Sequence, residues 1–160
     1  MTTPNITDTA ISDVFNRIES FALQSGYFDN VNGHEPKSAP ASNGVSCSIW
    51  VQSIRPIPTS GLAATSGIIT INARIYTSMM SQPFDAIDPN VTAAASYLMG
   101  QLSADFQLGG QNGVRAIDLL GAYGFPLSAA AGYVEIDRRM FRVMTITIPV
   151  EINDMWAQVP

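Results

Sequence analysis

The chain has 160 residues and a net charge of −5, and charged side chains occupy only 13% of its positions. A chain of this length fits one domain with a buried core, whereas typical soluble domains carry about 25% charged residues. Because subunit interfaces are depleted in charge, the composition indicates a surface that is partly buried against other copies or partners. The negative charge also argues against binding nucleic acid through its phosphates.

The sequence carries no signal for a membrane or for secretion. No apolar run approaches the ~20 residues that cross a bilayer, and the N-terminal segment lacks the basic and apolar regions of a signal peptide. The single cysteine, Cys47, excludes an internal disulfide and is typical of a reducing compartment. We therefore expect a protein with no membrane partner.

Periodic patterns predict one helix and two strands in the first half of the chain. Apolar residues at helical spacing predict a helix over Asp8–Ser25. The next stretch, 27–44, is rich in Gly, Pro, Asn and Ser and lacks periodicity, so we expect a long loop. Alternation then predicts strands over Val45–Arg55 and Ile68–Met79, joined by a second long loop over 56–67.

The second half begins with a helix and ends with a hairpin. A helix is predicted from Asp88 to about Ala104, with Asp88 as its cap and Pro89 at the first helical position. A short strand over Val114–Leu120 follows, and a loop leads to a hairpin over Gly132–Ile152. We expect an α+β fold in a single domain spanning 1–160, in the order α-β-β-α-β-β-β. One mixed, mostly antiparallel sheet would carry both amphipathic helices on one face.

The hairpin has the most regular pattern in the chain. Met144, Ile146 and Ile148 fall on one side of its second strand and suit a core, since side chains alternate across a strand. The other side is not fully polar. If the helices cover the first side, a second set of side chains points away from them: Trp50, Ile54, Tyr76, Phe141 and Val143. Aromatic residues on a charge-poor surface favour a subunit interface, and the alternative is that a long loop of the same chain covers this side.

Few residues are suited to catalysis or metal binding. The one histidine, His34, lies in the first long loop, and we expect a polar loop residue rather than a catalytic base. Cys47 lies on the core side of a strand, where burial raises a thiol pKa. No Cys/His cluster or acidic loop has the spacing of a zinc or calcium site. We expect no catalytic residue, no metal ligand and no cofactor.

The only concentration of basic residues lies in the hairpin. Arg138 and Arg139 are predicted at its turn, and Arg142 follows in the second strand. Glu135 and Asp137 lie opposite, so we favour a ladder of ion pairs across the hairpin. The alternative is that these arginines contact an acidic patch of a neighbouring subunit or passing nucleic acid.

Four segments of the sequence resemble the tail terminator proteins of long-tailed (siphovirus) bacteriophages. They are ALQSGYFDNVNGHEPKSAP (Ala22–Pro40), ARIYTSMMSQPFDAIDPNV (Ala73–Val91), LLGAYGFPLSAAAGY (Leu119–Tyr133) and FRVMTITIPVEINDMW (Phe141–Trp156). More remotely, this family is similar to the tail completion protein U of phage lambda. The resemblance covers nearly the whole chain, and its segments are not catalytic signatures.

The resemblance implies a structural virion protein rather than an enzyme. Such proteins form a six-membered ring that caps the tail tube, ends tube polymerisation and provides the surface that joins the head. The implied partners are other copies of the chain, the tail tube protein below and the head–tail connector or stopper above. DNA would pass through the lumen without sequence-specific binding. The implied location is the tail and neck of the virion, after assembly in the host cytoplasm.

Two further sets of candidate residues follow from this resemblance. An acidic lumen repels phosphate and lets DNA slide, and the candidate lining residues are Glu135 and Asp137. The two long loops would reach the tube or the connector, with His34, Lys37 and Leu62 as candidate contacts. Other functions stay open: another neck or tail protein, such as a connector or the tube protein, and, with less support, a small ligand-binding domain or enzyme.

Overall fold

The computed structural model of the chain describes residues 6–40, 44–58, 63–110 and 113–158. Two long helices lie at Ile6–Ser25 (α1) and Ile87–Ala104 (α2). The strands are Asn30–Asn32 (β1), Ser46–Ile57 (β2), Ala64–Ser78 (β3), Val114–Ile117 (β4), Ser128–Ile136 (β5) and Arg139–Ala157 (β6). Short 3-10 helices at Phe84–Ala86 and Leu108–Gly110 flank α2.

These strands form one sheet in which β6 is paired on both sides. The order is β1-β2-β3-β6, and both β4 and β5 pair with the far side of β6. β1 runs parallel to β2, whereas the other pairs are antiparallel. The predicted α+β class, with a single mixed and mostly antiparallel sheet, is confirmed.

The main core lies between the two helices and one face of the sheet, which we call the inner face. Ile71 of β3 pairs with Ile148 of β6, and both belong to the same buried cluster as Ile18 of α1 and Leu98 of α2. Every second residue of β6 from Met144 to Ile152 belongs to this cluster or packs against it, as the alternation predicts. Full burial of such a side chain contributes about 1.5–3 kcal/mol, so this face holds the helices to the sheet.

The first long loop contains a short strand that the sequence does not reveal. β1 pairs with residues 46–48 of β2, and the backbone N–H of Asp29 donates to the carbonyl oxygen of Val45 at 2.8 Å. A strand of three residues is too short to show a period. The prediction of an unstructured 27–44 loop is therefore wrong at this point.

β2 and β3 are longer than predicted, so the loop between them is shorter. β2 continues through Pro56 to Ile57, and Pro56 pairs with Gly67 of β3. On the other side of β2, β1 pairs only with residues 46–48, so no described strand lies beside Pro56 on that edge. The missing N–H of the proline faces this unpaired edge, and no hydrogen bond of the ladder is lost. The centre of the predicted 56–67 loop, residues 59–62, lies outside the described residues.

Helix α2 begins two residues earlier than predicted, at Ile87 rather than Pro89. Its N-cap is Ala86, which makes no side-chain capping bond, and the prediction that Asp88 caps the helix is wrong. Asp88 instead accepts a hydrogen bond from Arg142 Nε at 3.0 Å. It still lies in the first turn, where the helix dipole favours a negative charge.

The hairpin turns at Asp137 and Arg138, one residue before the predicted position. Both residues have left-handed backbones, with φ of +52° and +63°, as a two-residue type I′ turn requires. β5 also begins at Ser128 rather than Gly132, because residues 128–131 pair with residues 144–147 of β6. A run of three alanines carries no alternation, so this part of β5 is hidden in the sequence.

Candidate assembly surfaces

The described part of the chain offers little catalytic chemistry. Cys47 is fully buried, and this burial raises the pKa of its thiol to about 12. His34 is exposed, and its Nδ1 lies 2.9 Å from the carbonyl oxygen of Glu35. Over residues 6–40, 44–58, 63–110 and 113–158, no group of three His, Cys, Asp or Glu side chains could hold a metal ion.

In the part of the chain that the structure describes, no helix is both long and apolar enough to cross a bilayer.

The face of the sheet opposite the helices, which we call the outer face, is covered at one end by the chain itself. Tyr76, Phe141 and Val143 are only 1%, 0% and 4% exposed. They form a second small core with Ile136, against which Ala39 of the long loop packs. The expectation that these three side chains lie on an open face is wrong. The alternative, a covering loop of the same chain, holds at this end of the sheet.

A hydrogen bond ties the covering loop to the hairpin turn. The backbone N–H of Ala39 donates to Asp137 Oδ2 at 2.7 Å. Below it, the Tyr76 and Phe141 rings meet edge to face with their centroids 5.8 Å apart, an arrangement that aromatic pairs favour. Asp137, a candidate lumen residue, therefore also fixes the loop over the second core.

A polar cleft of about 410 Å³ opens beside the second core, lined in part by β1, Tyr76 and the covering loop. The Tyr76 hydroxyl lies 3.4 Å from Asn32 Nδ2 and 3.3 Å from Ser48 Oγ. Two candidate partner contacts, His34 and Lys37, line the cleft and are exposed. The third, Leu62, lies outside the described residues.

Trp50 of β2 lies on the outer face, where it pairs with Asn72 of β3. The guanidinium of Arg74 lies over the Trp50 ring, 5.3 Å from its centroid, and Arg74 Nε donates to Thr145 Oγ1 at 3.1 Å. Trp50 is half-buried, so part of its ring still meets solvent. This residue keeps the position on the outer face that the sequence predicts.

Ile54 is 46% exposed, but it does not share a face with Trp50. A bulge between Val51 and Ser53 shifts the register, so Ile54 pairs with the core residue Ile69. Residues that pair directly across antiparallel strands share a face, and Ile54 therefore lies on the inner side. The prediction for its face is wrong because one inserted residue inverts the alternation.

Arg142 binds the helix layer rather than the hairpin acids. It forms an ion pair with Asp88 at 3.0 Å, and its guanidinium lies 4.6 Å from the centroid of the Tyr133 ring. The ion-pair ladder predicted across the hairpin is therefore wrong for Arg142. Its side chain links the start of α2 to the hairpin instead.

The other two hairpin arginines occupy different environments. Arg139 lies over the Phe141 ring, 5.4 Å from its centroid, and its Nη2 is 3.4 Å from Ser78 Oγ. Arg138 and Glu135 are exposed. Both therefore lie where another molecule could reach them.

The loop between β4 and β5, residues 118–127, is a surface that the sequence analysis missed. Asp118 is buried, and its carboxylate accepts backbone hydrogen bonds from Ala122 at 2.8 Å and Tyr123 at 3.0 Å. Arg55 of β2 donates to the carbonyl oxygen of Tyr123. These contacts hold the loop across the outer face of the sheet.

The same loop presents apolar side chains to solvent. Leu120 is 93% exposed and Phe125 is also exposed. Such side chains on a loop held by a buried carboxylate form a preorganised contact, which lowers the entropy lost on binding. One sequence signal could have located it, because no charged residue occurs between Asp118 and Glu135.

Exposed apolar side chains are frequent over the whole described surface. Ten large ones are exposed: Leu23, Tyr27, Ile54, Met80, Phe84, Phe106, Leu120, Phe125, Tyr133 and Met140. Single exposed apolar residues are ordinary. Here, however, ten of them occur in a chain in which only 13% of the residues are charged, which is an unusually low fraction.

A second buried acid, Glu151, lies with Asp118 at the β4 end of the sheet. Burial raises the pKa of Glu151 above its ordinary value of 4.5, Arg115 lowers it, and the charge of Asp118 raises it. Arg115 Nε lies 3.6 Å from Glu151 Oε2. Because this arginine is half exposed, its charge is screened by water and does not cancel the effect of burial.

No protein-family model matches the sequence, and no curated protein matches it. Among solved structures, the chain is similar to the sheath/tube terminator of an extracellular contractile injection system, PVC, determined in its extended state by cryo-electron microscopy. The identity is 17% and the TM-score 0.34. The match covers 99% of this chain and 60% of the other, so this chain spans about three fifths of that protein's length. A likeness of this degree establishes neither a family nor a function.

Proposed function

We propose that this chain is a structural protein of a phage tail, a terminator that assembles into a ring on the end of the tail tube. The observation that carries the proposal is the position of the exposed apolar side chains. Seven of the ten lie in segments that resemble the terminator family: two in 22–40, two in 73–91 and three in 119–133. Exposed apolar side chains of this size and number suit an interface with another molecule.

A ring is the assembly that best suits these surfaces. The exposed side chains lie on several elements, from α1 to β6, and in the proposed assembly they supply more than one contact patch. A head-to-tail contact uses two different patches of each subunit and closes into a ring if the rotation allows. In the proposed assembly the ring has six subunits, ends tube polymerisation and joins the connector of the head.

The proposed DNA channel depends on the net charge of the subunit. A net charge of −5 suits a lumen that repels phosphate. Glu135 and Asp137 remain the proposed lining residues, although Arg138 and Arg139 balance them in the same hairpin tip. We therefore expect the exposed Glu135 to contribute more than Asp137, whose carboxylate binds the covering loop.

Electron microscopy of the purified protein, combined with a mass measurement, tests the proposed function. We expect closed rings whose mass is a multiple of 17.2 kDa. Long tubes would instead identify a tail tube protein. A particle that stays monomeric at every concentration, and that is absent from virions, would overturn the proposal.

The Trp50→Asp variant tests whether the outer face takes part in assembly. We expect it to keep the fold and to weaken ring formation, because it places a charge on a half-buried aromatic site. Ser96→Asp, at an exposed position of α2, is the matched control and should assemble normally. Loss of folding in Trp50→Asp, measured by circular dichroism, would mean that Trp50 serves the subunit alone.

A further inference from the structure

The outer edge of β5 is open and lacks the usual protection against pairing. Among the described residues, β5 pairs with β6 and with no other strand. Open edges are normally blocked by proline, lysine, a bulge or covering elements. β5 has none of the first three in SAAAGYVEI, and its single charge, Glu135, stands next to its last residue. Such an edge is a template for a further strand.

The opposite edge of the sheet is open along most of its length. β1 covers residues 46–48 of β2 and leaves 49–57 without a described partner on that side. This edge carries a bulge near Val51 and also Arg55 and Pro56, and Pro56 has no N–H to donate, so a further strand would pair with the part of β2 before Pro56. The sheet therefore has two unlike open edges.

The strand directions make these two edges complementary. β2 is antiparallel to β3, β3 to β6, and β6 to β5, so β2 and β5 run in opposite directions in one subunit. If a second copy is placed in the same orientation, its β5 lies antiparallel beside β2. The sheet then continues without a break, and each copy gives one edge and receives the other.

We propose that β5 of one copy pairs with the open part of β2 of the next copy, and that this pairing closes the ring. This inference rests on the proposed function for its occupant, a second copy of the chain. Because β1 already pairs with residues 46–48, the β5 strand of the next copy has to lie further along β2, towards its C-terminal end. A sheet that closes on itself requires such a stagger between its strands. Repeated edge pairing is a heterologous contact, which forms rings.

Crosslinking with a short bis-maleimide tests this pairing. Ser53 and Ala130 are exposed, and both lie on the outer face, since Ser53 pairs with Thr70 and Ala130 with Thr145. Ser53→Cys and Ala130→Cys give one reactive thiol each, because Cys47 is buried and has a pKa of about 12. We expect crosslinked dimers from a mixture of the two variants, a ladder from the double variant, and no product from either variant alone.

Each outcome has a separate meaning. A product from Ala130→Cys alone would show β5 pairing with β5 and overturn the proposal. Rings that form without a product in the mixture would overturn the edge pairing and leave the proposed function standing. A wild-type protein that remains monomeric at every concentration would overturn both.

A charge on the β5 edge gives a second, independent readout. We expect Ala131→Lys to lose ring formation, because lysine is a natural protection of open edges. Ala93→Lys, the same change at an exposed position of α2, should assemble like the wild type. Equal assembly of the two folded variants would contradict the proposal.

Discussion

At the scale of single residues, Arg138 carries a backbone strain that its side chain does not relieve. Its φ is +63° at the second central position of the turn, where type I′ turns favour glycine. A left-handed backbone costs an ordinary residue roughly 1–2 kcal/mol, whereas glycine loses about 0.5–1 kcal/mol in extra chain entropy. We expect Arg138→Gly to stabilise the subunit by about 0.5–1 kcal/mol in urea unfolding.

The matched variant is Arg139→Gly, which places glycine inside β6 and should destabilise the subunit. If Arg138→Gly folds more stably but assembles less well, Arg138 contacts a partner. Equal stability of Arg138→Gly and the wild type would show that the turn is not strained.

Glu151 gives the subunit a defined dependence on pH. Its pKa in the folded state is raised above 4.5, chiefly by burial. As the pH rises past 4.5, the Glu151 carboxyl ionises in the unfolded chain but stays protonated in the folded one. The unfolded state is stabilised by this ionisation, so the free energy of unfolding falls until the pH has passed the pKa of the folded state. Glutamine does not titrate. We therefore expect the stability of Glu151→Gln relative to the wild type to increase from pH 4 to pH 7, measured by urea unfolding at both pH values.

The exposed Glu135→Gln variant is the control, and its difference from the wild type should change little over the same range. A Glu151→Gln difference that is the same at both pH values would contradict this assignment.

At the scale of elements, Arg142 links the hairpin to the start of α2. Its partner Asp88 is 68% exposed, and exposed ion pairs are worth about 0–1 kcal/mol. The stacking of Arg142 on Tyr133 adds about 0.5–1 kcal/mol. We therefore expect Arg142→Ala to destabilise the subunit by about 0.5–2 kcal/mol, measured by urea unfolding. Asp88→Asn should cost less, because it leaves the stacking intact, and equal costs would show that the ion pair dominates.

Elements with a strong period could be predicted from the sequence, and those defined by contacts could not. The alternation of β6 identifies its core side, from Met144 to Ile152, and this prediction is confirmed. The face of Ile54 could not be predicted, because a bulge depends on the partner strand and leaves no mark in the sequence.

The covered end of the outer face shows the same limit. The alternation of β6 places Phe141 on the side of the strand that faces away from the helices, where an exposed or an interface residue is expected. Phe141 is buried because a loop distant in the sequence packs over it. A hydrogen bond from Ala39 to Asp137, which is far from it in the chain, helps to fix the position of this loop. A pattern within one strand contains no information about such a contact.

At the scale of the whole molecule, the proposed ring joins subunits of like charge. Each carries a net charge of −5, so copies repel one another, and salt screens this repulsion with a Debye length that falls from about 10 Å at 0.1 M to about 3 Å at 1 M. An interface of backbone bonds and apolar contacts is itself little weakened by salt. We expect the assembled fraction, measured by light scattering, to rise or stay constant with added sodium chloride. Dissociation by salt would indicate an interface held by ion pairs.

The parallel strand β1 has a consequence for the width of the proposed ring. It is three residues long and pairs with residues 46–48 at the start of β2. A strand from a neighbouring subunit on the same edge therefore cannot extend past residue 49 of β2. The length of β1 then fixes the displacement between adjacent subunits. In a closed sheet with a given number of strands, this displacement sets the diameter. A segment too short to leave a pattern in the sequence would thus determine the bore through which DNA passes.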